Sequence, residues 1–360
     1  MRIEKIAIVG LGLIGGSIAK AIKSFSSDHF ISAFDKPDIL DKALEQKVID
    51  KKLSSFEESL DADLIFICLP VDASINVFEK LSDKINPNQI ITDVCGVKSV
   101  FQEIWDKKAR KGFYIGGHPM TGKEKGGLEN SDPLLFENCV YILNESAKEF
   151  PVIDSFTEII HQLGARITFL NPKVQDIIVA SVSHLPQLLS VSLINSTGLK
   201  DSDINFFDYA AGGFRDMTRI ASSEFNVWES VIRENRKNII QAIDNFIFDL
   251  DQMKKSISKE EYKKLTEKFE SARVKRDEIP KSNKGFIHQI YDVFVFVKDE
   301  PGVISKISTA LFENNINIKD IELLKIREGS GGTFRIAFES ESDAEKAKVI
   351  IEKVGFSTKI

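Results

Sequence analysis

Short apolar runs alternate with helical patterns through the first half of the chain. Seven of these runs predict strands, at residues 5–10, 31–35, 63–70, 89–94, 113–117, 139–144 and 165–170. Runs that are apolar on both faces and separated by helices are typical of a mostly parallel sheet that helices cover. The pattern therefore predicts an α/β, doubly wound first domain over residues 1–171.

The pattern changes from strands to helices after residue 171. Strand-like runs are absent from Pro172 to about Lys268, and two long helical patterns occupy residues 172–199 and 226–253. The first of these is apolar on nearly all sides, which is typical of a helix at the centre of a bundle or in a dimer interface. We therefore expect an all-helical dimerisation domain over residues 172–275.

The tail of the chain begins with a charged stretch that contains Pro280 and Gly285, which predicts a linker over residues 276–289. Residues 290–360 then follow the order β-α-β-β-α-β, provided that the last few residues form the closing strand. This order predicts a small ferredoxin-like third domain.

Composition excludes several classes of function for these 360 residues. The formal net charge is −6 and no basic patch is apparent, so nucleic acid is not an expected partner. Three scattered cysteines without a CxxC motif indicate a reducing compartment and no thiolate metal site. No signal peptide and no unbroken apolar stretch of about 20 residues is found, so we expect a cytoplasmic protein with no metal and no membrane span.

A glycine fingerprint follows the first predicted strand and opens a helix. Its G-x-G-x-x-G pattern predicts a Rossmann-like dinucleotide site at Gly10, Gly12, Leu13, Ile14 and Gly15, with Asp35 at the end of the second strand. Gly10 permits a tight turn, Gly12 lets a pyrophosphate approach the helix N-terminus, and Gly15 lets the helix pack on the strand. The alternative is a glycine turn that binds no ligand.

Asp35 indicates which cofactor the site takes. A carboxylate at this position accepts hydrogen bonds from the ribose hydroxyls and repels a 2′-phosphate. Lys36 comes next and tolerates phosphate, so the sequence favours NAD over NADP without excluding NADP.

The segment GGHPMTGKEKGG, residues 116–127, carries a single histidine, His118. It follows the predicted strand 113–117, whose C-terminal end should face the ligand crevice of a doubly wound sheet. We interpret Gly116 and Gly117 as keeping side chains away from the histidine. The alternative is an ordinary loop histidine.

Several motifs in the right order carry a resemblance to a known family. GGHPMTGKE (116–124), DVCGVK (93–98), SHLPQ (183–187) and AGGFRDMTRIASSEFNVW (211–228), together with the fingerprint, closely resemble prephenate dehydrogenase, of which arogenate dehydrogenase is a near relative. The resemblance covers about residues 5–270. DEPGVISKI (299–307) and NNINIKDIE (314–322) resemble an ACT domain.

The resemblance implies an oxidative decarboxylation in tyrosine biosynthesis. Hydride leaves the carbinol carbon of prephenate for NAD, the hydroxyl proton departs, and loss of CO2 makes the ring aromatic. In the family, the histidine of Gly-Gly-His-Pro accepts this proton, which carries over to His118. A neutral histidine suits such a task.

The substrate has two carboxylates, so its site requires cations. Arg215 and Arg219 are four residues apart and share a face of a helix. The resemblance assigns the substrate carboxylate to Arg219, with Asp216 orienting it, and places Trp228 at the same pocket. The alternatives are a surface arginine pair with one salt bridge and a core tryptophan.

Three polar residues of the long apolar helix, Asp176, His184 and Gln187, share one face by their spacing, although Pro186 is expected to kink the helix there. We assign His184 and Gln187 to the substrate site, with a buried structural histidine as the alternative. Glu124 matches a family glutamate that lines and gates the pocket, and a surface charge is its alternative.

Two positions depart from the family pattern. Gly96 stands where many relatives have a serine that helps to hold the histidine or the substrate, and Gln187 stands where some relatives have histidine.

We therefore expect a homodimeric, NAD-dependent prephenate dehydrogenase whose ACT domain binds an amino acid, with tyrosine as the expected effector. The effector loop contains Asp299, Pro301 and Gly302 between the first strand and first helix of the tail. Arogenate dehydrogenase is the alternative within the enzyme class. A non-catalytic sensor of dinucleotide and amino acid is the alternative from another class.

Overall fold

The computed structural model describes residues 2–26, 28–123, 125–197, 205–278, 290–298, 300–327 and 331–359, without the side chains of 325–327. The chain divides into two compact units, residues 1–269 and 270–360. Each unit is described by itself.

A six-stranded parallel sheet forms the centre of the first unit. Its strands are β1 (Lys5–Val9), β2 (Phe30–Phe34), β3 (Lys51–Lys52), β4 (Leu64–Ile67), β5 (Ile90–Asp93) and β6 (Phe113–Tyr114), in the order β3-β2-β1-β4-β5-β6. The accompanying helices are α1 (Leu13–Phe25), α2 (Pro37–Glu45), α3 (Val71–Ser82) and α4 (Ser99–Asp106). The predicted doubly wound arrangement is confirmed, and the strand order reverses between β1 and β4, where such sheets bind ligands.

Both faces of the sheet are buried. In β1, Ile6 and Ile8 belong to one apolar core cluster, whereas Ala7 and Val9 belong to the cluster on the opposite face. Successive side chains of a strand point to opposite faces, so burial on both sides requires a continuous apolar run.

A second sheet takes up the end of the predicted strand 113–117. It consists of β7 (Gly117–Pro119), β8 (Val140–Asn144) and β9 (Arg166–Leu170), with α5 (Ile153–Gln162) between the last two. β7 is antiparallel to β8, and β8 is parallel to β9. The single strand predicted at 113–117 is therefore wrong: the chain leaves the parallel sheet after Tyr114, and His118 lies within β7 instead of in a loop.

Residues 172–278 contain only helical elements and connections in the part that the structure describes. The helices are α6 (Pro172–Val179), α7 (Leu185–Thr197), α8 (Gly212–Thr218), α9 (Phe225–Glu234), α10 (Arg236–Ser258) and α11 (Tyr262–Glu278). Helix α11 continues three residues into the predicted linker. Residues 279–289 of that linker lie outside the described residues.

The long apolar helix contains one irregular turn. A π-helical turn, Ala180–His184, separates α6 from α7, and the Leu185 N–H bonds the Ala180 carbonyl five residues earlier. Pro186 has no N–H to continue the regular ladder, and π turns commonly absorb such an irregularity. The expected disturbance near Pro186 therefore takes the form of a π turn before it.

Much of this long helix is exposed in the single chain, contrary to the expected burial on several sides. Residues 172–197 are long and apolar enough to cross a membrane by length and composition alone, and 28% of their most apolar window is buried. Val174, Ile177 and Val182 are about half exposed. Exposed apolar patches of this kind mark interaction sites on proteins.

The second unit carries an antiparallel sheet. Its elements are β10 (Tyr291–Val297), α12 (Val303–Glu313), β11 (Asp320–Arg327), β12 (Gly331–Phe338), α13 (Glu341–Lys353) and β13 (Ser357–Lys359), with strand order β11-β12-β10-β13. The closing strand β13 pairs with β10, as the β-α-β-β-α-β order predicts. Val293 and Val295 pack with Ile307 and Ile351 of the two helices in one core.

Candidate active site

The glycine fingerprint forms a cradle at the N-terminus of α1. Gly10 has a φ of +101°, a backbone conformation that side chains disfavour, and its N–H bonds the Phe34 carbonyl at 2.9 Å. A Cβ at Gly15 would lie 1.9 Å from the Gly10 carbonyl oxygen, whereas a Cβ at Gly12 would meet nothing within 4 Å. The open space beside Gly12 and the start of α1 at Leu13 therefore fit a dinucleotide pyrophosphate.

Asp35 lies directly after β2 at the edge of this cradle. Its carboxylate accepts hydrogen bonds from the backbone N–H groups of Leu11 and Lys36, both at 2.6 Å. These bonds fix the carboxylate beside the fingerprint loop, and a carboxylate has further lone pairs for ribose hydroxyls. An acceptor for ribose hydroxyls at the edge of the cradle fits NAD.

A buried charge cluster follows β5. Asp93 and Lys98 have no exposed side-chain surface, and their carboxylate Oδ1 and ammonium Nζ are 2.5 Å apart. The Tyr114 hydroxyl donates to Asp93 Oδ2 at 2.8 Å, and the Cys95 backbone N–H donates to Asp93 Oδ1 at 2.9 Å. Lys98 Nζ also donates to the Gly117 carbonyl at 2.7 Å. All charges in the cluster therefore have partners, as burial requires.

Gly116 and Gly117 make room for this cluster. A Cβ at Gly116 would lie 2.6 Å from the Tyr114 hydroxyl, and a Cβ at Gly117 would lie 2.9 Å from the Asp93 carbonyl oxygen. Our interpretation that the two glycines open access to His118 is wrong: both are buried, and they let β7 pack against the end of β5.

His118 lies in β7, opposite Ile142 of β8. A Cβ at Gly96 would be 3.5 Å from His118 Nε2, and the Gln175 side-chain nitrogen is 3.4 Å from His118 Nδ1. Burial lowers the pKa of His118 to about 3, helped by the positive charge of Lys98 and by His184. At neutral pH the imidazole is therefore uncharged and has a lone pair.

His184 lies across Gly96 from His118. Its Nε2 would be 4.0 Å from a Cβ at Gly96, and its Nδ1 is 3.3 Å from the Asn235 side-chain nitrogen. Burial lowers the pKa of His184 to about 4. The Trp228 ring meets the His184 ring edge to face, with centroids 6.0 Å apart. Gly96 thus lies between two neutral imidazoles, the second of which contacts Trp228.

Asp176 joins the helical region to the first sheet. Its carboxylate accepts hydrogen bonds from the backbone N–H groups of Lys98 at 2.7 Å and Ser99 at 3.0 Å, at the start of α4. Asp176, His184 and Gln187 are all buried, as expected for one face of the helix. Gln187 donates to the Ile220 carbonyl at 2.9 Å and so holds the short turn Arg219–Ser222 against α7.

Arg219 and Asp216 lie at the exposed surface of the helical region. Asp216 belongs to α8 and Arg219 to the turn that follows it, and both side chains are exposed. The hydrogen bond of Gln187 to Ile220 places Arg219 next to the helix that carries His184. Glu124 lies outside the described residues.

A cavity of about 470 Å³ lies in the second unit beside the predicted effector loop. Gly302 has a φ of +87° and precedes the first turn of α12, while Lys298 and Glu300 line the same cavity. Pro301 lies in the turn between Glu300 and Gly302. Asp299 lies outside the described residues.

Three site residues were not identified from the sequence: Lys98, Gln175 and Asn235. Lys98 and Asp93 follow an apolar strand five residues apart, which is a weak signal of a buried ion pair. Gln175 is fully buried in an apolar helix, and its Oε1 has no partner. Asn235 gives no local signal, because its contacts with the Asp176 carbonyl and His184 join separate helices.

Among the residues described, no cluster of three or more His, Cys, Asp or Glu suits a metal ion.

Family models match nearly the whole chain. "Prephenate dehydrogenase, nucleotide-binding domain" matches residues 18–169, "Prephenate dehydrogenase, dimerization domain" matches residues 171–271, and "ACT domain" matches residues 291–356.

Similar proteins agree with these matches. The chain is 33% identical to a prephenate dehydrogenase of Bacillus subtilis, over 97% of this chain and 96% of the relative. It is 32% identical to one of Lactococcus lactis, over 97% and 98%. A crystal structure of prephenate dehydrogenase from A. aeolicus with hydroxyphenyl propionate and NAD+ has a TM-score of 0.70 and 28% identity, over 78% of this chain and 99% of that one. Synechocystis arogenate dehydrogenase has a TM-score of 0.66 and 28% identity, over 76% and 99%.

Proposed function

This chain belongs to the prephenate dehydrogenase family of NAD-dependent oxidoreductases, and we propose that it oxidises and decarboxylates prephenate to 4-hydroxyphenylpyruvate with His118 as the proton acceptor. The observation that carries the assignment of His118 is its environment. It is a neutral, partly buried imidazole in β7, next to Gly96, which follows β5 of the sheet that bears the dinucleotide fingerprint.

NAD, when bound, takes the hydride from the carbinol carbon of the substrate. The hydroxyl proton passes to His118 as the C–H bond breaks, and the ring carboxylate leaves as CO2 while its electron pair makes the ring aromatic as a phenolate. The phenolate oxygen then takes a proton back to give 4-hydroxyphenylpyruvate. The free enzyme keeps His118 uncharged, with a pKa of about 3. The two carboxylates of the bound substrate favour the imidazolium, so binding raises the pKa of His118 towards the value that proton transfer requires.

Gln175 determines which nitrogen of His118 takes the proton. A Gln175 N–H that donates to Nδ1 leaves the ring hydrogen on Nε2, the nitrogen nearest Gly96. Proton acceptance at Nε2 requires the opposite arrangement, in which the Gln175 oxygen accepts Nδ1–H. Gln175 Oε1 is buried without a partner, so rotating the amide by half a turn when substrate binds would give it one, in exchange for the 3.3 Å bond from Gln175 Nε2 to the Gly96 carbonyl.

Substrate binding is assigned to the polar residues around this imidazole pair. Arg219 binds a substrate carboxylate bidentately, and Asp216 orients the guanidinium. His184, Trp228 and Gln187 line the pocket, supported by the contact of Trp228 with His184 and by the bond from Gln187 to Ile220. Glu124 keeps its assignment as a residue that lines the pocket entrance.

Two further parts of the proposal concern assembly and location. The chain pairs as a homodimer through the helical region, which is supported by the match to a dimerization domain and by the exposed apolar residues of α6 and the π turn. It works in the cytoplasm, which is supported by free thiols at Cys68, Cys95 and Cys139.

Replacing Asp35 by Asn is expected to raise the ratio of NADP to NAD use. The change keeps the side-chain shape but removes the negative charge that repels a 2′-phosphate. The measurement is kcat/KM for both cofactors with saturating substrate. Asp38→Asn is the control, because Asp38 is a nearby exposed carboxylate in the first turn of α2. A wild type that already prefers NADP would contradict the assignment of Asp35.

The second unit is assigned to feedback inhibition, with tyrosine as the effector at Asp299, Pro301 and Gly302. The ACT match and the cavity beside Gly302 support this assignment. Lys298 and Glu300 offer opposite charges for the carboxylate and ammonium groups of an amino acid. The solved A. aeolicus chain aligns over 99% of its own length with 78% of this chain, so it corresponds to only part of this chain.

Gly302→Val is expected to abolish inhibition by tyrosine and leave turnover without tyrosine unchanged. A side chain at a φ of +87° distorts the turn that borders the cavity. The measurement is the initial rate against tyrosine concentration. Gly355→Val is the matched control, because Gly355 has a φ of +97° in the same unit but does not line the cavity, so inhibition should survive.

Truncation after Arg276 should also abolish inhibition. Equal inhibition of the truncated chain would place tyrosine in the catalytic pocket.

One experiment tests the function as a whole. Purified protein is mixed with NAD and either prephenate or arogenate, and the absorbance of reduced nicotinamide is followed. Faster reduction with prephenate supports the proposal, and faster reduction with arogenate assigns the chain to the second activity. If the protein binds NAD and tyrosine but reduces no NAD with either substrate, it is a sensor.

A further inference from the structure

A fully buried lysine next to a proposed catalytic histidine requires an explanation, because an ammonium group costs free energy to remove from water. Lys98 has no exposed side-chain surface, and the enzyme chemistry outlined above assigns it no task. Its neighbours therefore indicate what it does.

The side chain of Lys98 joins the end of β5 to β7. Its Nζ donates to Asp93 Oδ1 at 2.5 Å and to the Gly117 carbonyl at 2.7 Å, and it lies 5.3 Å from the centre of the Phe101 ring. Gly117 directly precedes His118. The ammonium group therefore fixes the peptide unit from which the His118 backbone continues.

The backbone of Lys98 joins the same point to the helical region. Its N–H donates to Asp176 on α6 at 2.7 Å. The preceding residue on that helix, Gln175, contacts both the Gly96 carbonyl and His118 Nδ1, at 3.3 and 3.4 Å. Lys98 thus bonds both to β7, which carries His118, and to α6, which supplies Gln175 as the partner of the His118 ring.

We propose that Lys98 is a positioning residue: its buried ammonium group, paired with Asp93, sets the place and the charge environment of His118. The proposal rests on the assignment of His118 as the proton acceptor. The observation that carries the proposal is the bond from the Lys98 ammonium to the Gly117 carbonyl, directly before His118.

The charge environment of His118 comes from several elements. Asp93 is the last residue of β5 and Lys98 follows that strand, Tyr114 ends β6, Asp176 belongs to α6 and His184 to the π turn. Of these groups, Lys98 and His184 disfavour the imidazolium, in addition to the larger effect of burial. Removing the cation of Lys98 should therefore raise the pKa of His118.

The test uses the full chain with labelled histidines, of which there are five. Nitrogen NMR follows the titration and tautomer of the His118 ring without substrate, and the signal is assigned by its loss in His118→Asn. In Lys98→Met we expect the ring to titrate at higher pH than in wild type. We also expect kcat to fall about 10²-fold, the size of effect that a small misplacement of a catalytic group produces.

Asp93→Asn/Lys98→Met keeps the test decisive if the single variant does not fold, since the double variant leaves no unpaired buried charge. Lys23→Met/Asp50→Asn is the matched control: it removes another ion pair of the first unit, a 2.6 Å bond between α1 and the residue before β3, away from His118. The control should alter thermal stability without moving the His118 titration.

Unchanged His118 titration and a kcat within about threefold of wild type in a folded Lys98 variant would overturn the proposal. The NMR result does not depend on the substrate. If wild type oxidises neither prephenate nor arogenate, the assigned reaction fails, whereas the coupling between Lys98 and His118 is still measured.

Discussion

Replacing His118 by Asn is expected to lower kcat roughly 10²–10⁴-fold and to leave the affinity for NAD nearly unchanged. Asparagine keeps a polar side chain in β7 but cannot accept the hydroxyl proton at neutral pH. His118 contacts Gln175 and lies beside Gly96 and His184, whereas the fingerprint and Asp35 are formed by other residues. The loss should therefore appear in turnover and not in cofactor binding.

The measurement is steady-state turnover with prephenate together with a titration of NAD binding. His161→Asn is the matched control, since His161 is exposed in the last turn of α5, and it should behave like wild type. Equal turnover of His118→Asn and wild type would remove His118 from the reaction.

Replacing Arg219 by Ala is expected to cost about 2–5 kcal/mol of transition-state binding, mostly as a higher KM for prephenate. The guanidinium is the assigned partner of a substrate carboxylate, and a bidentate bond of this kind is strong once the substrate has excluded water. The side chain is exposed in the single chain, so the upper part of this range requires that bound substrate desolvates it.

Arg215→Ala is the comparison for Arg219→Ala, because Arg215 is also exposed and lies four residues earlier on α8. Arg219→Lys should recover part of the loss, since it restores the charge without the planar fork. An unchanged KM in Arg219→Ala with a raised KM in Arg215→Ala would transfer the carboxylate to Arg215.

Elements defined by local pattern could be predicted from the sequence. The apolar runs predict five of the six strands of the parallel sheet, and they miss β3, which is the short charged strand Lys51–Lys52. The first strand, the glycine fingerprint and Asp35 predict a dinucleotide cradle that the geometry of Gly10, Gly12 and Gly15 fits. The β-α-β-β-α-β order of the tail, including its closing strand, was also predictable. Each of these signals depends on neighbours along the chain.

The errors arise where packing overrides local pattern. The run 113–117 has the composition of one strand, but Gly116 and Gly117 let the chain pass over the buried Asp93 and Tyr114, so it enters a second sheet as β7. The long apolar helix was expected to be buried on several sides, yet much of it is exposed in the single chain. The spacing of apolar residues along a helix does not show whether the same chain or a partner covers them.

By itself, the sequence determined the order of domains, the cofactor cradle and a single histidine in a motif of this family, because short spacings and residue types encode them. Only the tertiary structure revealed what surrounds that histidine: Gln175 at its Nδ1, Gly96 and His184 at its other side, and Lys98 bonded to the carbonyl before it. These contacts join residues that are far apart in the chain. A buried amide or ammonium group has no period and no motif, and its partners are defined only when separate elements pack together and exclude water.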